Sequence, residues 1–289
     1  MEEIKIGEFT LTTLLDGVFP CGPDLIPAAK SKDGEKLFVD AGLPQIGPSP
    51  EPINAFALRR GDRLWLIDAG CGHQLGPDFG KVPAALKSLG YEPEQVEAVI
   101  LTHLHEDHIG GLVTEDGAAA FPKARLFVPT EELDFWLDPT SPAKNPGEAQ
   151  QKFDLAKAVL APYEGAIEAV PADSEIEEGV RLVGLFGHSP GHCGVSIEQD
   201  GKKLLMWTDI AHSTLLQLAY PHWSIGFDFD QPQAVATREA LLAELAGTDV
   251  LVAGSHVRGM GTISRSGDGY RLEPSEEVSS ATVKATKAA

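Results

Sequence analysis

The segment His103-Leu104-His105-Glu106-Asp107-His108 constrains this chain more than any other, because three imidazoles and the carboxylate of Asp107 fall within one short stretch. It follows the apolar run Val96-Glu97-Ala98-Val99-Ile100-Leu101, which reads as a short buried strand. The polar cluster therefore sits where a strand leaves its sheet, a usual place for a site in an α/β protein. Imidazole and carboxylate are good ligands for zinc and similar divalent ions. A single helical turn could not aim all four groups at one metal. An extended stretch points His103 and His105 the same way, because strand side chains alternate. A turn into helix would re-aim Asp107 and His108 at a second point nearby, so the spacing suggests two closely placed metals.

The pattern resembles the signature of the metallo-β-lactamase superfamily, His-x-His-x-Asp-His. That resemblance implies further ligands downstream, in order. His192 in Gly187-His188-Ser189-Pro190-Gly191-His192 fits the third histidine, Asp209 in Trp207-Thr208-Asp209 the bridging carboxylate, and His256 in Ala253-Gly254-Ser255-His256 the last histidine. By the family pattern His103, His105 and His192 hold the first metal. Asp107, His108 and His256 hold the second, and Asp209 bridges both. Two divalent ions are implied, zinc first, with manganese, iron or cobalt also compatible with these donors.

Composition narrows the field. The 289 residues are 43% hydrophobic, enough to bury a sizeable core without disulfides. A net charge of −20 argues against nucleic acid, which wants a basic stripe. Three cysteines, Cys21, Cys71 and Cys193, give no disulfide framework, and Cys193 reads as a packed thiol. No stretch is long and apolar enough for a membrane span. The start, Met1-Glu2-Glu3-Ile4-Lys5, lacks a basic-then-apolar leader, so a cytoplasmic protein is the expectation.

Strand patterns at Phe9–Leu15, Ala55–Arg59, Leu64–Ile67, Arg125–Val128, Val180–Leu185, Val195–Glu198, Leu204–Trp207 and Val250–Ala253 alternate with helices. The helices are expected at Val82–Leu89 and Pro232–Leu245 and in an insertion at about 130–165. Residues 20–50, rich in Pro and Gly, read as a long loop. The expectation is one α/β domain over 1–275 with a loose tail over 276–289. The resemblance makes that domain an αββα sandwich.

Within the superfamily, Asp209 separates the chain from the classical β-lactam-cleaving branch, where a cysteine stands instead. The basic C-terminal cluster of the glutathione-thioester hydrolases is absent from this sequence. Gly7-Glu8-Phe9, Leu15-Asp16-Gly17, Ile53-Asn54-Ala55-Phe56, Asp134-Phe135-Trp136-Leu137 and Trp223-Ser224-Ile225-Gly226-Phe227-Asp228 look more like the methyl-parathion-hydrolase-like and quorum-quenching lactonase group. The resemblance implies a dinuclear hydrolase that opens acyl-homoserine-type lactones, with organophosphate triesters as a side activity, and a homodimer. An organophosphate or aryl ester hydrolase is the alternative, and a non-catalytic metal-binding protein the alternative of another class. Many lactonases of the superfamily carry a tyrosine three residues after the bridging Asp; this chain has His212, which could donate a proton or merely cap a loop. Tyr220 and His222 are nearby substitutes for that tyrosine. Asp107 and Asp209 complete the expected catalytic set. Asp68, at a strand end, is a candidate acceptor behind a metal-bound histidine. Phe135, Trp136, Tyr220, Trp223 and Phe227 are candidate walls of an apolar pocket for a hydrophobic lactone or ester.

Overall fold

The computed structural model describes residues 1–281. Strands β1 (Glu2–Ile6), β2 (Phe9–Cys21), β3 (Ser49–Arg60), β4 (Arg63–Ile67), β5 (Ala98–Ile100), β6 (Arg125–Pro129) and β7 (Ile167–Val170) lie side by side in a first sheet. A second sheet holds β8 (Glu175–Glu177), β9 (Val180–Gly184), β10 (Cys193–Gln199), β11 (Lys202–Met206), β12 (Leu251–Ala253), β13 (Gly261–Ser266) and β14 (Gly269–Pro274). The last described strand, β15 (Ser279–Ser280), returns to the first sheet beside β1. The helices are α1 (Lys32–Asp40), α2 (Val82–Ser88), α3 (Glu106–Ile109), α4 (Thr130–Leu137), α5 (Ser141–Lys144), α6 (Gln150–Leu160) and α7 (Gln231–Leu245).

Alternation along the strands sets the layers. On β4, Leu64 and Leu66 join α2 and α6 in one core, while Trp65 and Ile67 face the second sheet in another. On β11, Leu204 and Met206 meet that inter-sheet core, while Leu205 turns outward to Leu241, Leu242 and Leu245 of α7. The order is helices, sheet, sheet, helices: the expected αββα sandwich, with one continuous body and two packed sheets at its centre.

Two expectations need correction. Residues 20–50 are not one long loop: β2 runs on to Cys21, and α1 follows a 3-10 turn at Pro27–Lys30. Ser31 caps α1, its hydroxyl accepting from Gly34 N at 3.3 Å, and Phe38 is buried beneath it. The tail expected over 276–289 is not loose throughout. Ser279 and Ser280 pair with Glu3 and Glu2, and Ala281 is buried; residues 282–289 lie outside the described residues. The helical insertion falls where expected, as α4, α5 and α6. No helix among the described residues is long and apolar enough to cross a membrane.

The topology gathers one edge of the sandwich into a site. The parallel neighbours β4 and β5 end there, as do the parallel neighbours β11 and β12, and β10 begins there. Loops leaving these ends carry most of the polar residues singled out by sequence.

Candidate metal centre and active site

After β5, Thr102 donates from its backbone N–H to Asp68 Oδ1 (2.9 Å) and from its hydroxyl to Asp68 Oδ2 (2.8 Å). These bonds tie the ends of two adjacent strands. The chain stays extended through His105, then turns into the short α3, which re-aims Asp107 and His108. Gly111 lets this turn lie directly on the Ala69 carbonyl; a Cβ there would stand 2.0 Å from that oxygen. Asp68 also sits 2.8 Å from His108 Nδ1, on the side of the ring away from Nε2.

From the other sheet come three more loops. Thr208 leaves β11 with φ +45°, an unusual backbone for a β-branched residue, and presents Asp209. His256 follows β12, its Nδ1 held 2.9 Å from Pro52 O. Asn54 on β3 braces that loop by donating from its side chain to Gly254 O and Val257 O. The loop between β9 and β10 carries His188 and His192.

Side-chain donor atoms converge in three overlapping groups, one of them His188, Asp209 and His212; the other two carry most of the predicted ligands. Ligand atoms of His103, His105 and His188 lie within 4.8 Å of one another, and so do those of Asp107, His108, Asp209 and His256. Asp209 stands between them. Its Oδ1 is 3.3 Å from His108 Nε2, and its Oδ2 is 3.0 Å from His256 Nε2 and 3.3 Å from His188 Nε2. His212 Nε2 is 3.2 Å from the same oxygen, and its ring stacks on His256 at 4.8 Å.

One sequence reading fails here. His188, not His192, joins His103 and His105. Among the described residues His192 enters none of the groups, because both its nitrogens are engaged elsewhere. Nδ1 donates to Leu185 O at 2.8 Å, which leaves Nε2 to accept from the Thr208 hydroxyl at 2.6 Å. His192 thus holds Thr208 in its strained backbone from behind the centre. His188 Nδ1 is instead backed by Asp228 at 3.0 Å, freeing Nε2 to face the centre. Nothing within the Gly-His-Ser-Pro-Gly-His segment marks this difference.

Protonation divides the site. Burial, reinforced by neighbouring imidazoles, pushes His103 and His105 well below the ordinary histidine value. It pushes His192 down to about 3 and His212 down to about 4. Burial would lower His108 as well, but the carboxylates of Asp209, Asp107 and Asp68 outweigh it and hold that ring well above. His256 is raised by Asp209 and Asp107 in the same way, against its burial. Asp107 and Asp209, which burial alone would raise, are brought down by the facing imidazoles.

Buried polar atoms test whether these residues suit a metal. His103 Nε2, His108 Nε2 and Asp209 Oδ1 are buried and lack a hydrogen-bond partner among the described residues, and the Asp209 carboxylate lies 3.8 Å from the first and 3.3 Å from the second. Buried donors and acceptors are rarely left unpaired. Unpaired ligand atoms on either side of Asp209, with the opposite ring nitrogen fixed from behind, are the arrangement divalent ions complete. The residues therefore fit the group.

An adjoining cavity of ≈ 370 Å³ opens onto His105, Asp107, Asp209, His212 and His256. Its apolar wall comes from Phe19, Ile53, Leu75, Phe79, Leu155 and Phe227. Of the five expected wall residues only Phe227 lines it. Trp136 is fully buried behind His105, with ring centroids 5.7 Å apart, and Phe135 packs on Phe153 and Phe229. Tyr220 and Trp223 stack on each other at 4.4 Å and fill a separate cluster with Cys21, Phe38 and Ile225. Large aromatics bury against whatever core is nearest, and these four found one away from the cavity.

The model of the metallo-β-lactamase superfamily matches residues 48–256. An N-acyl homoserine lactonase of Bacillus cereus is 28% identical over 172 residues, 60% of this chain and 57% of that protein. The N-acyl homoserine lactonase AiiA of Bacillus thuringiensis subsp. kurstaki is 31% identical over 171 residues, 58% of this chain. The match spans 57% of the length of each of these curated relatives. Among solved structures, a hydrolase of the beta lactamase superfamily, AbOPH, superposes with a TM-score of 0.87 at 32% identity, covering 95% of this chain and 97% of its own. AidC, a dizinc quorum-quenching lactonase solved with N-hexanoyl-homoserine product, shares the fold with a TM-score of 0.84 at 23% identity, over 95% of this chain and 97% of its own.

Proposed function

The chain belongs to the metallo-β-lactamase superfamily, and from that premise we propose that it is a two-metal hydrolase opening lactones of the acyl-homoserine type. The observation that carries this reading is an apolar cavity whose floor is a set of converging His and Asp donors. His103, His105 and His188 would hold the first metal, and Asp107, His108 and His256 the second, with Asp209 shared. Zinc suits these donors. When bound, two divalent ions supply Lewis acidity, which lowers the pKa of water and polarises a carbonyl.

The protein's part is placement. Neutral His103 and His105 offer lone pairs without a proton to displace. Asp107 acts as a ligand. Phe19, Leu75, Phe79, Leu155 and Phe227 accept an acyl chain and keep bulk water from the floor. His212 lines the cavity with its Nε2 turned to the centre, where it can donate a hydrogen bond to the lactone ring oxygen as that oxygen leaves.

An aryl phosphotriester also fits an apolar cavity above such a centre, so it is the competing substrate. The test compares kcat/KM for acyl-homoserine lactones of several chain lengths with kcat/KM for aryl phosphotriesters, on protein of known metal content. Lactone turnover well above triester turnover is expected; the reverse would make the protein a phosphotriesterase, and turnover of neither would leave a metal-binding protein. His212→Ala should lower lactone turnover by roughly 10²-fold or more and spare a triester with an activated leaving group. Equal losses would make His212 structural.

A further inference from the structure

Glu132 lies in the first turn of α4 with a fully buried side chain, among apolar groups and away from the cavity. Burying a carboxylate is costly unless its oxygens are satisfied. Here Oε2 accepts from the backbone N–H of Leu104 (2.9 Å) and the indole N–H of Trp136 (2.8 Å). Oε1 accepts from the hydroxyl of Ser189 (2.5 Å) and the backbone N–H of Gly191 (2.7 Å). The three N–H groups can only donate, so both oxygens must act as acceptors.

The choice of partners is informative. Leu104 sits between His103 and His105, and Ser189 follows His188 directly. Three of the four bonds thus land on the two loops that supply the all-imidazole group, one oxygen to each loop. The fourth stays within α4. Gly191 allows this close approach: a Cβ there would stand 2.5 Å from the backbone nitrogen of Glu132. The loops come from different sheets, and their separation decides whether His188 Nε2 reaches the point at which His103 and His105 aim.

We propose that Glu132 is the positioning residue that sets the spacing between the His103/His105 loop and the His188 loop, and thereby the affinity of the first metal position. This rests on the metal reading above. Glu132→Gln is the sharp variant. An amide keeps one acceptor oxygen, so whichever way it turns its NH2 faces N–H donors and one loop is released.

The two metal positions can be read separately on the metal-stripped full chain, by zinc titration against a competing chelator. A His256→Ala background reports the first position, and a His188→Ala background the second. Glu132→Gln should weaken zinc binding at the first position about tenfold or more and leave the second within about twofold. Trp136→Phe removes the bond inside α4 while keeping an aromatic ring beside His105, and should leave both within about twofold. Ser189→Ala removes one loop bond and decides the matter if Glu132→Gln does not fold: a loss confined to the first position supports the proposal. Equal loss at both positions, or no loss at the first, overturns it. If the parent backgrounds take up no zinc, the metal reading falls and this proposal with it; zinc uptake unaffected by Glu132→Gln overturns the proposal alone.

Discussion

The two donor groups hold their buried histidines differently: His103 and His105 are lowered, His108 and His256 raised. His103, His105 and His188 form a group of imidazoles, with Asp209 shared and Asp228 behind His188. Around His108 and His256 stand Asp107, Asp209 and, behind His108, Asp68. Burial dominates in the first group and keeps His103 and His105 neutral; surrounding carboxylates dominate in the second and keep His108 protonated when no metal is present. Ligand identity alone therefore does not describe such a site. The charge packed behind each ring decides what a metal must displace to bind.

The largest effect should come from erasing the group common to both. Asp209→Ala should deplete both positions and reduce turnover by more than the roughly 10–100-fold that loss of an outer hydrogen-bond partner causes. Full metal content and full rate in that variant would end the two-metal account.

Next in size is the contrast between two histidines of one loop. His188→Ala should lose one of two zinc equivalents by metal analysis, whereas His192→Ala should still bind two, with weaker affinity because Thr208 and Asp209 lose their support. The opposite pattern would restore the sequence-based assignment.

Smaller effects separate the groups from behind. Asp228→Asn should weaken the first position, and Asp68→Asn the second, each by about 10–100-fold. A variant that weakens both equally would show that the positions are not independently backed.

Smallest is the pH dependence. A metal takes neutral imidazole, so binding at the second position must release the proton that His108 holds at neutral pH. Zinc affinity there should rise with pH from about 6 to 8. His103 and His105 are already neutral across that range, because their values are lowered, so affinity at the first position should rise less steeply. Parallel slopes in the two half-site backgrounds would contradict this difference.

The first sheet's contribution was legible because it is local. A buried strand, an extended His-x-His and a short helical turn place four groups through nearest-neighbour geometry, and Asp68 follows from the end of the adjoining parallel strand. The third histidine was not legible. His188 and His192 share one irregular loop without a period to tell inside from outside, and both are buried. What separates them is Asp228 behind one and Leu185 O with Thr208 behind the other. The strand read at Val195–Glu198 stopped short of Cys193, where β10 begins and pins His192 against the sheet. The cavity wall was hidden for a similar reason. Phe19, Ile53, Leu75, Phe79 and Leu155 come from β2, β3, the loop before α2, and α6, and only the assembled sandwich brings them together.

The central claim is that His188 completes an all-imidazole metal position beside a carboxylate-rich one. Anomalous diffraction at the zinc edge, from crystals of the zinc-loaded protein, tests it most directly. The account predicts two zinc peaks with Asp209 between them. One should lie about 2.0–2.1 Å from nitrogens of His103, His105 and His188, and the other should contact Asp107, His108 and His256. A single peak, or a first peak bound to His192 with His188 turned away, would contradict it.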